Sequence, residues 1–99
     1  MDKKETITPI DQHVIDYVMT LRNKHELTQE DIANIIGLSR SFIKDVESPK
    51  RIAKYNLAHI NALADYFNIS PREFLPKKAI IEKAITSEST KTPSRKKKN

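Results

Sequence analysis

Ninety-nine residues, 37% of them apolar, make one small domain whose core comes from helix faces rather than buried strands. The chain has no cysteine, which excludes a disulfide framework and thiolate metal sites and fits a reducing cytoplasm; no apolar run approaches the roughly 18 residues of a membrane span, and no signal peptide is visible. The net charge of +5 is unevenly divided: residues 1–75 hold ten Lys/Arg against eleven Asp/Glu, whereas residues 76–99 hold eight against two.

Residues 1–7 are polar and read as a flexible N-terminus. Thr8 caps a first helix, with Pro9 at its first position and Asp11 three residues past the cap. Ile10, Val14, Val18 and Leu21 share one face of that helix, supplemented by Ile15, and it runs to about Lys24. His13 and His25 read as solvent-facing or helix-end residues, since no second ligand stands at metal spacing. Thr28 caps the next helix, and Asp31 completes a weak capping box. In that helix Ile32, Ala33 and Ile36 face inward. Gly37, the only glycine, suits a left-handed C-terminal cap, and Ser39 caps the third helix, whose inward face is Ile43 and Val46.

Ending one helix and starting another within about three residues forces a steep crossing. Ala33 is small where the helices pass closely, and Leu38 is expected to fill the space beneath the turn. An ordinary helical hairpin would satisfy the composition equally well. Seven positions agreeing at fixed spacing, with the lone glycine in the turn, favour a helix-turn-helix.

Ser48-Pro49 ends the third helix, because proline cannot continue one, and residues 50–55 form an extended basic loop. Asn56 caps a fourth helix in which Leu57, Ile60, Leu63, Ala64 and Phe67 share a face. Asn68 takes the left-handed position at its end, and Ile69 folds back onto it. Ser70-Pro71-Arg72-Glu73 reads as a capping box opening a short fifth helix; its Phe74 and Leu75 close the core, and Pro76 stops it. Ala79 to Ile85 fits a short helix or an added strand, and a run this short does not decide. From Thr86 onward Ser, Thr and Lys dominate, so residues 77–99 read as a basic, largely disordered tail. That tail is either a solubilising extension or an arm binding phosphates non-specifically.

The stretch Leu27 to Glu47, with its flanks, resembles the lambda-repressor/Cro/Xre-type helix-turn-helix DNA-binding family. The likeness runs from Leu21-Arg22 through Thr28-Gln29-Glu30, Ala33, Gly37-Leu38-Ser39 and Val46-Glu47 to Ser70 through Leu75, covering roughly residues 10–76. Gln29 opening one helix and Glu47 closing the next are its more specific marks. In one departure, Ser48-Pro49 follows Glu47 where family members often carry a glycine about two residues on, which stiffens the loop leaving the helix. The resemblance implies an all-α, compact five-helix domain over residues 8–76, and a prokaryotic transcription regulator, a repressor of phage, mobile-element or stand-alone type.

By that resemblance the helix from Arg40 to Glu47 enters the major groove with its N-terminal end toward the bases. Arg40, Ser41, Phe42 and Asp45 are then the base-reading candidates. Arg40 suits a guanine edge, Ser41 several bases or a phosphate, and Asp45 either a cytosine amine or a tether on Arg40 or Lys44. Phe42 would touch a thymine methyl or pack against the preceding helix. Phosphate contacts fall to Gln29, Ser39, Lys44, Lys50, Arg51, Lys54, Tyr55 and Asn56. Positive charge is concentrated accordingly: residues 39–54 hold five Lys/Arg against Asp45 and Glu47, while residues 1–38 are net acidic.

One such helix reads few base pairs, which implies a homodimer on a two-fold double-stranded DNA operator; Phe67 to Leu75 and Ile80 to Ile85 are the candidate interfaces. An enzyme is not expected, for there is no glycine-rich phosphate loop, no cysteine nucleophile and no paired His/carboxylate motif. Neither a cofactor, a metal nor a membrane is implied, and the expected location is cytoplasmic, at the nucleoid. The alternatives are an antitoxin-like protein that also binds a toxin, or a module that binds only another protein.

Overall fold

A computed structural model describes residues 7–81. Residues 1–6 and the tail from residue 82 onward lie outside it, together with the expectations made for them. Among the described residues the chain is all-helical: α1 (Pro9–Lys24), α2 (Gln29–Ile36), α3 (Arg40–Glu47), α4 (Leu57–Phe67) and a 3-10 helix (Pro71–Phe74). The expected fifth α-helix is thus a single 3-10 turn. Ser70 accepts from the Arg72 amide at 3.2 Å instead of forming a reciprocal capping box, and Pro76 stands too close for a second turn.

Local sequence sets each start. Thr8 and Asp11 form a reciprocal capping box on α1, and Thr28 and Asp31 form another on α2. Ser39 accepts from the Phe42 amide to start α3. Asn56 caps α4, and there His59 supplies the reciprocal bond, its Nδ1 accepting from the Asn56 amide at 3.1 Å.

Three helices end in the same way. A left-handed residue (Glu26, Gly37 or Asn68) reverses the chain, and the next amide returns to a carbonyl five residues back: Leu27 to Arg22 at 2.9 Å, Leu38 to Ala33 at 2.9 Å, Ile69 to Ala64 at 3.0 Å. Glycine and asparagine tolerate this conformation, whereas glutamate at φ 57° bears the Cβ penalty. Glu26→Gly is therefore expected to raise the unfolding free energy by about 0.5–1 kcal/mol, the relief of strain exceeding the added entropy of the unfolded chain. Thermal unfolding reads it as a rise of a few degrees; an unchanged or lower midpoint contradicts the strain.

The core is one cluster. α2 packs on α3 and α4, α1 on α3 and the 3-10 helix, and α4 on the 3-10 helix. Phe74, Ile32, Ile43, Leu63 and Val18 are its largest fully buried side chains, and Ala33 is buried as the crossing requires.

Several inward assignments are corrected. Ile10 is 40% exposed because the first turn of α1 projects past the core, and Ile7, ahead of the cap, is buried instead. Leu57 is 76% exposed at the first turn of α4. Leu38 is exposed, since the left-handed Gly37 swings it outward rather than beneath the turn. Leu75 lies past the end of the 3-10 helix and is exposed, leaving Phe74 alone to close the core. Ile36 and Phe67 are only half-buried. Residues 79–81, the described part of the Ala79–Ile85 run, are neither helix nor strand.

Candidate nucleic-acid interface

α3 separates its residues by face. Ile43 and Val46 are buried against the core, while Arg40, Ser41, Lys44 and Asp45 stand exposed on the other side. No hydrogen bond or ion pair among the described residues joins Asp45 to Arg40 or Lys44, so the tether considered for it is not formed. Phe42 is half-buried. Its ring packs edge-on at 5.5 Å from His59 and 6.2 Å from Tyr55, beside the start of α4. Much of the ring is thereby engaged in packing, and only part of it remains exposed.

A partly buried polar network fixes how α3 is presented. Arg22 at the end of α1 grips Glu47 with two bonds, Nε to Oε2 at 3.1 Å and NH2 to Oε1 at 2.9 Å, and donates a third to the Leu27 carbonyl at 3.1 Å. Gln29 at the start of α2 donates to the same Glu47 Oε1 at 2.9 Å. The Glu47 side chain is only 6% exposed and that of Arg22 17%, so the pair is shielded from solvent. One carboxylate thereby ties α1, α2 and α3 together. Gln29, expected at a phosphate, spends its side-chain amide inside this network.

The remaining phosphate candidates divide. Ser39 and Asn56 use their side-chain oxygens as helix caps. Lys44 and Lys50 are exposed. Arg51 is exposed and left-handed at φ 56°, its amide bonded to the Ser48 carbonyl at 3.0 Å, so the turn after Pro49 reverses the loop there. Lys54 is engaged with Asp11 on α1, Nζ to Oδ2 at 3.4 Å.

Tyr55 is a correction. It is 6% exposed and belongs to the core, its hydroxyl buried with no hydrogen-bond partner among the described residues, so it is not available to a phosphate. Burial, and then the Glu47 carboxylate, push that hydroxyl well above its usual range, and it stays protonated. Burial also lowers the pKa of His59, which favours the neutral imidazole that accepts the Asn56 amide. The sequence carried a signal for His59: it stands three residues after a capping Asn, where glutamate or glutamine is usual. Nothing local marked Asp11 as the partner of Lys54, 43 residues away.

The exposed face of α3 thus brings together one guanidinium, one hydroxyl, one ammonium and one carboxylate on a rigid support. Such a set can donate to and accept from base edges and phosphates. Among the described residues no group of three or more His, Cys, Asp or Glu could hold a metal ion, and no helix is long and apolar enough to cross a membrane. A family model described as helix-turn-helix matches residues 18–74. No curated protein and no solved structure gives a significant match.

Proposed function

The chain belongs to the helix-turn-helix family of the lambda-repressor/Cro/Xre type, a family of DNA-binding regulators, and from that membership we propose that it is a sequence-specific repressor of transcription. It acts as a homodimer on a two-fold operator, each α3 lying in the major groove of one half-site. The observation that carries this reading is the single exposed face of α3, held at fixed orientation by the Arg22–Glu47–Gln29 network.

Within it, Arg40 is the principal base reader, bidentate to a guanine edge, with Ser41 and Asp45 reading its neighbours. Asp45 also disfavours a register that would press it against phosphate. Ser39, Lys44, Lys50 and Arg51 hold the backbone, aided by the free amides at the start of α2. The globular part spans residues 7–76, since Ile7 joins its core, and the basic residues beyond it add affinity without sequence preference.

Arg40→Ala tests the register. It is expected to weaken operator binding by about 1–3 kcal/mol and to relax preference at one base pair of each half-site. Titration of the wild type and the variant against operator duplexes carrying single base changes gives both quantities. Unchanged affinity and unchanged preference would show that α3 does not dock as described.

A further inference from the structure

The loop after α3 does not offer its cations equally. Lys54 lies over the first turn of α1, where the Asp11 carboxylate is fixed in place: its Oδ2 accepts from the Thr8 amide at 3.0 Å and the Thr8 hydroxyl at 2.7 Å as well as from Lys54 at 3.4 Å. Burial by itself would raise the pKa of that carboxyl, but the Thr8 hydrogen bonds and the Lys54 charge outweigh it and hold the pKa below the ordinary value. The carboxylate is therefore ionised through the neutral range. Arg51, in the same loop, lines a groove with Gln12, His13 and Asp16 of α1. Lys54 is itself exposed, as are Lys44 and Lys50, but among the described residues only Lys54 of the three is held in an ion pair.

We infer that Asp11 is a positioning residue for DNA binding: by holding Lys54 against α1, it withholds one cation from the phosphates and keeps the sequence-independent part of the affinity low. The inference rests on the DNA-binding reading above. Non-specific affinity is almost wholly electrostatic, and each phosphate neutralised adds about 0.9 to the slope of log affinity against log salt. A lysine already neutralised by a fixed carboxylate adds less, because approaching a phosphate either breaks the pair or brings the carboxylate toward the DNA. Shielding Lys54 therefore lowers background binding while the contacts of α3 with bases are untouched. The ratio of specific to non-specific binding rises.

The test measures binding of the full chain to a duplex of random sequence across a salt series. Asp11→Asn is expected to bind several-fold more tightly at low salt and to steepen the slope by about 0.9, and to do neither in a Lys54→Ala background. Lys54→Ala alone changes the slope by far less than Lys44→Ala or Lys50→Ala, each of which lowers it by about 0.9. Weakening the α1 cap cannot mimic the first result, since loss of structure lowers affinity. Lys54→Ala leaves the cap intact and decides the matter even where Asp11→Asn unfolds the protein. An unchanged slope in a folded Asp11→Asn protein, or a full 0.9 loss in Lys54→Ala, overturns the inference alone. A wild-type protein that binds no duplex removes the DNA-binding reading and this inference with it.

Discussion

Glu47→Ala is expected to lower the unfolding free energy by about 3 kcal/mol, toward the lower end of the range for breaking a buried ion pair because Arg22 keeps some solvent contact. Its carboxylate accepts three hydrogen bonds, two from Arg22 and one from Gln29. Removing it leaves a guanidinium with only the Leu27 carbonyl as a partner, in a site that water reaches poorly. The cost comes from the stranded charge more than from the lost attraction. For a domain this small, whose whole stability is of the order of 5–15 kcal/mol, that is a large share. Replacing both partners, Arg22→Met with Glu47→Leu, is expected to recover most of the loss, since no charge is then left buried. Urea unfolding of the two variants separates these terms. A loss under about 1 kcal/mol in Glu47→Ala would show that the network is solvated and that α3 is held by its apolar face alone.

Phe74→Ala is expected to cost about 3–5 kcal/mol, the cost of removing a fully buried aromatic side chain. Its ring meets Tyr17 of α1 edge-on, with centroids 5.0 Å apart and planes at 73°. The 3-10 helix that carries it packs on both α1 and α4 and is only four residues long. Without Phe74 that helix has no other buried residue, so the collapse that softens many cavities also loosens the link the 3-10 helix makes between α1 and α4. Phe74→Leu, which keeps much of the volume, is expected to cost far less. Comparable losses in the two variants would mean that the aromatic shape at this site, and not its volume, closes the core.

The sequence made the caps and the turn legible because these are local. Thr8, Thr28, Ser39 and Asn56 each act on an amide three residues ahead, and Gly37 and Asn68 answer to their own backbone angles. The face of α3 was legible for the same reason, since Ile43 and Val46 fix its inward side and leave Arg40, Ser41, Lys44 and Asp45 outside. Periodicity failed at the ends of helices. Ile10, Leu57 and Leu75 obey the spacing of a buried face, but the neighbouring elements do not extend over them. A capping box written in Ser70 to Glu73 could not reveal that Pro76 leaves room for one turn only.

The site was harder to read than the fold because its side chains answer to distant partners. Tyr55 sits in a basic loop and looks like a surface hydrogen-bonding group. Only the tertiary packing of α3 against the start of α4 shows that Phe42 and His59 enclose it. Gln29 and Lys54 were assigned to phosphates by position alone, and their structural partners, Glu47 and Asp11, lie 18 and 43 residues away. Charge patterning locates a basic segment; which of its cations are already neutralised depends on the fold.

The most direct test of the central claim, that the exposed face of α3 reads a DNA sequence, is selection of binding sites from random duplexes by the full chain at physiological salt. The expected result is enrichment of an inverted repeat, its half-sites about one helical turn apart and each holding a guanine that Arg40→Ala no longer requires. Failure to enrich any sequence, with binding that vanishes as salt rises, would contradict it and reduce the basic residues to a non-specific patch.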